Sequence, residues 1–492
     1  MVNNFWAKDV LGRKENAAYL QQYLTQRYLA RRNEDGFVLA INAEWGLGKT
    51  FMLRCWQEEL IHSGYAAVYF DAWKNDFTPE PLVAFISEID EGFSPAFKNI
   101  PRAKKIFREA IKSFKLALKP AMKAVAMGVA KHGFGLSADH VSTLIADATG
   151  NSPVASNREL MPSIVDLEKS MTSAVDAALK QHKNTKQAVI SFKEKLSSLV
   201  SVLSENEQLG LPLFIFVDEL DRCRPDYAIE LLEGIKHLFG VPGVYFIVAT
   251  NMQQLGESTK AIYGSGFDGH RYLKRFFDME YYLPLPDSRK YAESLFLNST
   301  LPPAKNFVTF EGDLTFSNYE FLPFMFSVYA DHFGCGLRDQ FQAMKIFEAA
   351  LYSVKERKIH LHFLMFLTLL YQRSPTVYEE IFRSHAITDV GGYSAIISKL
   401  PNVGFHIPRI SASGERYQAL VSPLAIARVY LETIFLSSKE ANRNTVTHDE
   451  FPKVLIDSLR RDAFGQEYKK HYVSEYFNII RSAGAFSERI SS

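Results

Sequence analysis

Cysteine is scarce. Cys55, Cys223 and Cys335 are the only three in a chain of 492 residues, and no C-x-x-C pair occurs. That usage excludes a disulfide framework and a cysteine zinc site, and it fits a reducing, cytoplasmic setting. Net charge is also small: 56 Lys and Arg against 55 Asp and Glu leave +1, which points neither toward nor away from a nucleic-acid partner. Long apolar runs are missing. The opening MVNNFWAKDVLGRKE lacks the apolar core of a signal peptide. The longest candidate, HLHFLMFLTLLY at 360–371, falls short of the ~20 apolar residues a transmembrane helix needs and reads as a buried helix. No repeat and no low-complexity tract interrupt the chain. The histidines suggest no metal site, because His360 and His362, two apart, would leave a helix on different sides.

What is present is the composition of a packed globular protein, 47% hydrophobic and 23% charged, with length enough for two or three domains. Short apolar runs alternate with helical patterns. FVLAIN (37–42), YAAVYFD (65–71), LPLFIFVDELDR (211–222, with acids at its carboxyl end), GVYFIVATN (243–251) and MEYYLPLP (279–286) read as strands, and 5–35, 51–64, 80–92, 225–240 and 268–277 as helices. That alternation predicts an α/β fold with a mainly parallel, helix-flanked sheet. Residues 101–207 are polar and Lys-rich with few strand signals, which predicts a helical insertion, and from about 287 onward the pattern is mostly helical.

Between the first strand and the next helix runs AEWGLGKT (43–50), close to the G-x-x-x-x-G-K-[ST] phosphate loop. Gly48, Lys49 and Thr50 match, Ala43 replaces the first glycine, and Gly46 adds freedom inside the loop. Such a loop turns backbone N–H groups and a helix N-terminus toward phosphates. Glu44, Trp45, Gly46, Leu47, Gly48, Lys49, Thr50 and Phe51 are therefore the expected nucleotide-binding residues. Lys49 would neutralise the β- and γ-phosphate oxygens, and Thr50 would ligate Mg²⁺. Downstream, FIFVDELDR ends an apolar strand in acids, the Walker B arrangement. Asp218 would hold Mg²⁺ and Glu219 would orient and polarise the attacking water, which makes ATP with Mg²⁺ the expected ligand. Asp221 and Arg222 read as a local ion pair that shapes the turn.

VDELDRCRPDYAIELLEGIKHLFGVPGVYFIVATN resembles the signature of the KAP family of P-loop NTPases, and FDAWKND (70–76) resembles that family's Trp-containing motif. The resemblance covers about residues 8–300. It implies an additional-strand ATPase related to AAA+ and STAND proteins. In that class LGRKE (11–15) resembles the adenine-side segment, and Asn251 stands where a sensor-1 residue would. The same class implies an arginine finger at Arg275, with Lys274 and Arg271 as rivals, and a sensor-2 arginine at Arg338 in a helical lid. The implied layout is a P-loop domain in two parts, 1–100 and 208–290, the insertion at 101–207, and a helical lid and C-terminal domain at 291–492. A binding site beside long helical segments, with no second catalytic constellation, suggests a regulated, homo-oligomeric ATPase switch. Most bacterial members sit on mobile elements or among defence genes, so the resemblance implies antiviral defence with a protein effector partner as its setting. A nucleotide-bound scaffold with little turnover and a nucleic-acid-stimulated motor are the alternatives.

Family members often carry membrane helices where this insertion lies, but here the segment is too polar to span. Residues 102–132 hold nine Lys and Arg against Glu109, with apolar residues between them. The plain expectation is a helix packed on the core with its lysines in water. Contact with an anionic membrane surface or with nucleic acid is the functional alternative.

Overall fold

A computed structural model describes residues 4–31, 36–114, 187, 189–205, 209–236, 240–301, 307–308, 318–354, 359–387, 405–410, 416–421, 427, 430–431 and 472–488. The chain divides into two compact units, Met1–Pro284 and Leu285–Ser492.

The first unit is built on five parallel strands: β1 (Phe37–Asn42), β2 (Tyr65–Asp71), β3 (Gly210–Asp218), β4 (Val244–Thr250) and β5 (Met279–Tyr282), in the order β2-β3-β4-β1-β5. Parallel neighbours cannot be joined by tight turns, so each connection carries helices that cover the sheet faces, and a strand covered on both sides must be apolar throughout. β4 obeys this rule completely, with VYFIVAT wholly buried, and β3 is buried from Pro212 to Asp218. β5, at the edge, leaves Met279 and Tyr282 exposed.

β4 lies between β1 and β3, the additional-strand arrangement. Neighbouring strands lie ~4.8 Å apart, so the ends of β1 and β3 are separated by ~10 Å. The registers pair Asn42 with Thr250 and Asp71 with Asp218, which brings the carboxyl ends of β1, β2, β3 and β4 to one edge. In open α/β sheets that edge is where ligands bind.

Three helices position the edge. α1 (Arg13–Ala30) starts where the Asp9 carboxylate accepts from the backbone N–H groups of Leu11, Arg13 and Lys14. α2 (Lys49–His62) follows β1 and packs Trp56 against Phe214 and Phe216 of β3. α3 (Pro81–Phe93) opens with proline, whose missing N–H is harmless in a first turn, and buries Phe85 against Phe70 and Phe246.

The described ends of the insertion are helical, at 101–114 and within 187–204. They join the first unit's core through Phe107, Ile111, Phe114, Phe192 and Leu199, while Arg102, Lys105, Arg108 and Lys112 are exposed. For 101–114 the plain expectation therefore describes the helix. Lys115, Lys119, Lys123 and Lys131 lie outside the described residues.

The second unit contains the helices Ser288–Leu297, Asn318–His332, Leu337–Ser353, Leu361–Arg373, Pro375–Ile387 and Tyr476–Glu488. Its core gathers Phe326, Tyr329, Phe347, Phe363, Phe366, Tyr378, Tyr430 and Phe477. Two small sheets add to the helices: Phe307–Val308 pairs in parallel with Ile359–His360, and Phe405–Ile410 pairs antiparallel with Arg416–Val421. No helix among the described residues is long and apolar enough to cross a membrane.

Candidate phosphate-binding and hydrolytic site

The loop from β1 to α2 needs two backbone positions that side chains disfavour. Gly46 (φ 88°) and Gly48 (φ 81°) are both left-handed. A Cβ on Gly48 would also come within 2.9 Å of Leu11 Cδ1, so a side chain there would have to displace that methyl as well as adopt a disfavoured conformation. Leu47 is buried, whereas Glu44, Trp45 and Gly46 are exposed. Arg13, only 1% exposed, lies beneath the loop. Its Nε donates to the Leu47 carbonyl at 2.9 Å, and one terminal nitrogen donates to the carbonyl of Pro284 and to Asn16 Oδ1. Burial lowers the Arg13 pKa, and nearby Asp9 opposes the shift. The LGRKE segment thus meets the loop through its arginine.

Lys49 opens α2, and its Nζ donates to the Ala43 carbonyl at 2.6 Å and the Glu44 carbonyl at 3.2 Å. Burial lowers its pKa, while Asp221, Asp218 and Glu219 act in the opposite direction. Phe51 packs edge-on against Trp6.

Asp218 ends β3 fully buried. Its Oδ2 accepts from the Tyr69 hydroxyl and its Oδ1 from the Glu219 N–H, both at 2.8 Å. Burial pushes its pKa up; the nearby Thr50 hydroxyl, the hydrogen bonds from Tyr69 and the Glu219 N–H, and the charge of Lys49 oppose the shift. Glu219 has φ 60°, the one positive φ at a non-glycine residue among the described residues. The Thr50 hydroxyl donates to Glu219 Oε1 at 2.8 Å, and Arg222 Nε meets Oε2 at 2.5 Å. Burial also raises the Glu219 pKa, against the Thr50 hydrogen bond. Lys49, Thr50, Asp218 and Glu219 therefore stand together.

The expected Asp221–Arg222 pair is not what forms. Asp221 accepts from Trp45 Nε1 at 2.6 Å, and Arg222 reaches back one helical turn to Glu219, which offers it the nearer carboxylate. The FDAWKND segment closes this side. Arg222 lies over the Trp73 ring at 5.5 Å, and Arg224 grips Asp76 through its side chain and backbone N–H at 3.0 Å.

The other expected residues take different places. Asn251 follows β4 and caps the helix Met252–Tyr263, its side-chain oxygen accepting from Gln253 and Gln254 N–H. Asn42 Oδ1 accepts from Met252 N–H and its Nδ2 donates to Glu280. Arg271, Lys274 and Arg275 are exposed at and after the short helix Gly269–Leu273, and none makes an ion pair with the loop or the β3 acids. Arg338, exposed at the start of Leu337–Ser353, belongs to the second unit. Tyr69, Asn42 and the buried role of Arg13 were missed by sequence reasoning. A tyrosine inside an apolar strand carries no signal of the carboxylate beside it.

No curated protein matches the chain. A family model described as the KAP family P-loop domain matches residues 14–308, more than half of the chain.

Proposed function

The chain belongs to the KAP family of P-loop NTPases, and from that premise we propose that it binds Mg–ATP and hydrolyses it as a regulated, oligomerising switch. The observation that carries the reading is the hydrogen bond from Thr50 to Glu219 at 2.8 Å, which ties the phosphate loop to the acids of β3. The donors suit magnesium: the Thr50 hydroxyl and the Asp218 carboxylate are hard oxygen ligands, and Mg²⁺ keeps several waters rather than needing a protein cage. Among the described residues no larger His, Cys, Asp or Glu cluster competes for a metal.

Each residue then has a chemical task. The loop N–H groups and the Lys49 ammonium bind the β- and γ-phosphate oxygens. The triphosphate's charge favours protonated Lys49 and offsets its burial. Mg²⁺, when bound, neutralises charge on the phosphate oxygens. Glu219 accepts a hydrogen bond from the attacking water and takes its proton as the water oxygen bonds to the γ-phosphorus. The bond from that phosphorus to the bridging oxygen breaks, and ADP leaves with the electron pair. Asn251 contacts water or phosphate through its amide nitrogen, since its oxygen caps a helix. Arg275 completes the site of a neighbouring copy, and Arg338 serves as the lid arginine.

The left-handed backbone at Glu219 supports turnover over a static structural nucleotide. Strain at a non-glycine residue costs about 1–3 kcal/mol and collects where chemistry is done. Family resemblance supports a setting in defence against phage, with a protein effector as partner. Lys49→Ala is expected to abolish binding of a fluorescent ATP analogue and release of phosphate. A Lys49→Ala protein that binds and turns over like wild type would overturn the reading.

A further inference from the structure

Glu219 is held from two sides. Thr50 takes one carboxylate oxygen and Arg222 the other, at 2.8 and 2.5 Å. Because its backbone is left-handed, the carboxylate is directed by these contacts rather than by the comfort of an ordinary strand or helix conformation. Thr50 is also the hydroxyl assigned to magnesium, so Arg222 is the contact dedicated to Glu219.

Arg222 is itself supported. Its guanidinium lies 5.5 Å above the centre of the Trp73 ring, a cation–π geometry that fixes a planar cation better than a point charge. Trp73 is 54% exposed, and the backbone on either side of it is held. Ala72 N–H donates to the Asp218 carbonyl at 3.0 Å, and three residues later Asp76 is gripped by Arg224. The loop after β2 and the turn after β3 thus form one brace around Glu219.

We propose that Arg222 is a positioning residue for hydrolysis: seated on Trp73, it aims the Glu219 carboxylate at the attacking water. This rests on the ATPase reading above. It gives the Trp-containing loop a reason to sit beside the site. Misplacing a reacting group by about 1 Å can cost about 10²-fold in rate.

The test is steady-state phosphate release by the full chain, with ATP affinity measured separately by a fluorescent analogue. Arg222→Ala should lower kcat by roughly 10–100-fold while ATP affinity stays within about twofold of wild type. Arg222→Lys, which keeps the charge and loses the fork, should recover part of the loss. Trp73→Ala should lower kcat less than Arg222→Ala, and Trp73→Phe, which keeps an aromatic face, should restore it. In the Glu219→Gln background Arg222→Ala should add no further loss. The proposal is overturned if Arg222→Ala turns over like wild type. It is equally overturned if ATP affinity falls as far as kcat, or if the loss is just as large in the Glu219→Gln background. Should Arg222→Ala not fold, Arg222→Lys and the two Trp73 variants decide by the same criteria. A wild-type chain that releases no phosphate would instead defeat the ATPase reading.

Discussion

Asp218 has been removed from water, which raises its pKa, and its neighbours oppose that shift; Tyr69 is the neighbour that its own strand could not supply. Its hydroxyl reaches Asp218 Oδ2 from 149 positions earlier in the chain. Removing that donor leaves a buried carboxylate less well held. Tyr69→Phe should raise the Mg²⁺ concentration for half-maximal phosphate release by roughly tenfold, the scale of losing one partner of a metal ligand. A magnesium titration checks this, and an unchanged midpoint would contradict it. The same contrast shows what the sequence makes legible at this scale. Lys49, Thr50, Asp218 and Glu219 stand out because each sits at a strand end or loop whose local spacing implies phosphate chemistry. Tyr69, Asn42 and Arg222 do not, because their partners come from other segments or compete with a nearer one. Asp221 lies next to Arg222 in the chain, yet its carboxylate is taken by Trp45 and the arginine turns to Glu219.

At the scale of elements, buried strands are the easiest to read. FVLAIN and VYFIVAT are continuous apolar runs because both sheet faces are covered. The insertion of β4 between β1 and β3 is not written in any run; it entered through family resemblance and is visible only in the pairing. The hairpin Phe405–Ile410 with Arg416–Val421 escaped a reading that followed helical periodicity. HLHFLMFLTLLY became the helix Leu361–Arg373, buried continuously from Leu361 to Leu370. Burial there, reinforced by His360, pushes His362 from 6.5 down to about 3. A histidine depressed in the folded state binds protons mainly when unfolded. Its contribution is therefore fully present above pH 6.5 and is lost as pH falls toward 3, at up to about 1.4 kcal/mol per pH unit. Thermal unfolding at pH 7.5 and 5.5 should show a smaller acid-induced drop in Tm for His362→Leu than for wild type. Equal drops would contradict that account.

At the scale of the whole molecule, the chain separates at Pro284 and Leu285, a few residues before the mostly helical pattern begins. Arg275 stands exposed near the end of the first unit, and Arg338 at the surface of the second. An exposed arginine with no ion pair to its own site's acids suits a finger that serves another copy. Arg275→Ala should leave ATP affinity unchanged and cut turnover by on the order of 10³–10⁵. Mixing Arg275→Ala with Lys49→Ala chains should restore turnover, since one brings a complete site and the other the finger. Mass photometry should show ATP-dependent assembly. A chain that stays monomeric with ATP, and mixtures that remain inactive, would contradict action between copies.

The central claim is that one site, spanning Lys49 and Thr50 on the loop and Asp218 and Glu219 on β3, both holds and cleaves Mg–ATP. It is tested most directly by identifying the nucleotide retained after incubation with ATP and rapid removal of excess. Wild type should retain ADP, and Glu219→Gln should retain intact ATP at comparable occupancy. ADP formed on Glu219→Gln as fast as on wild type would contradict the assignment.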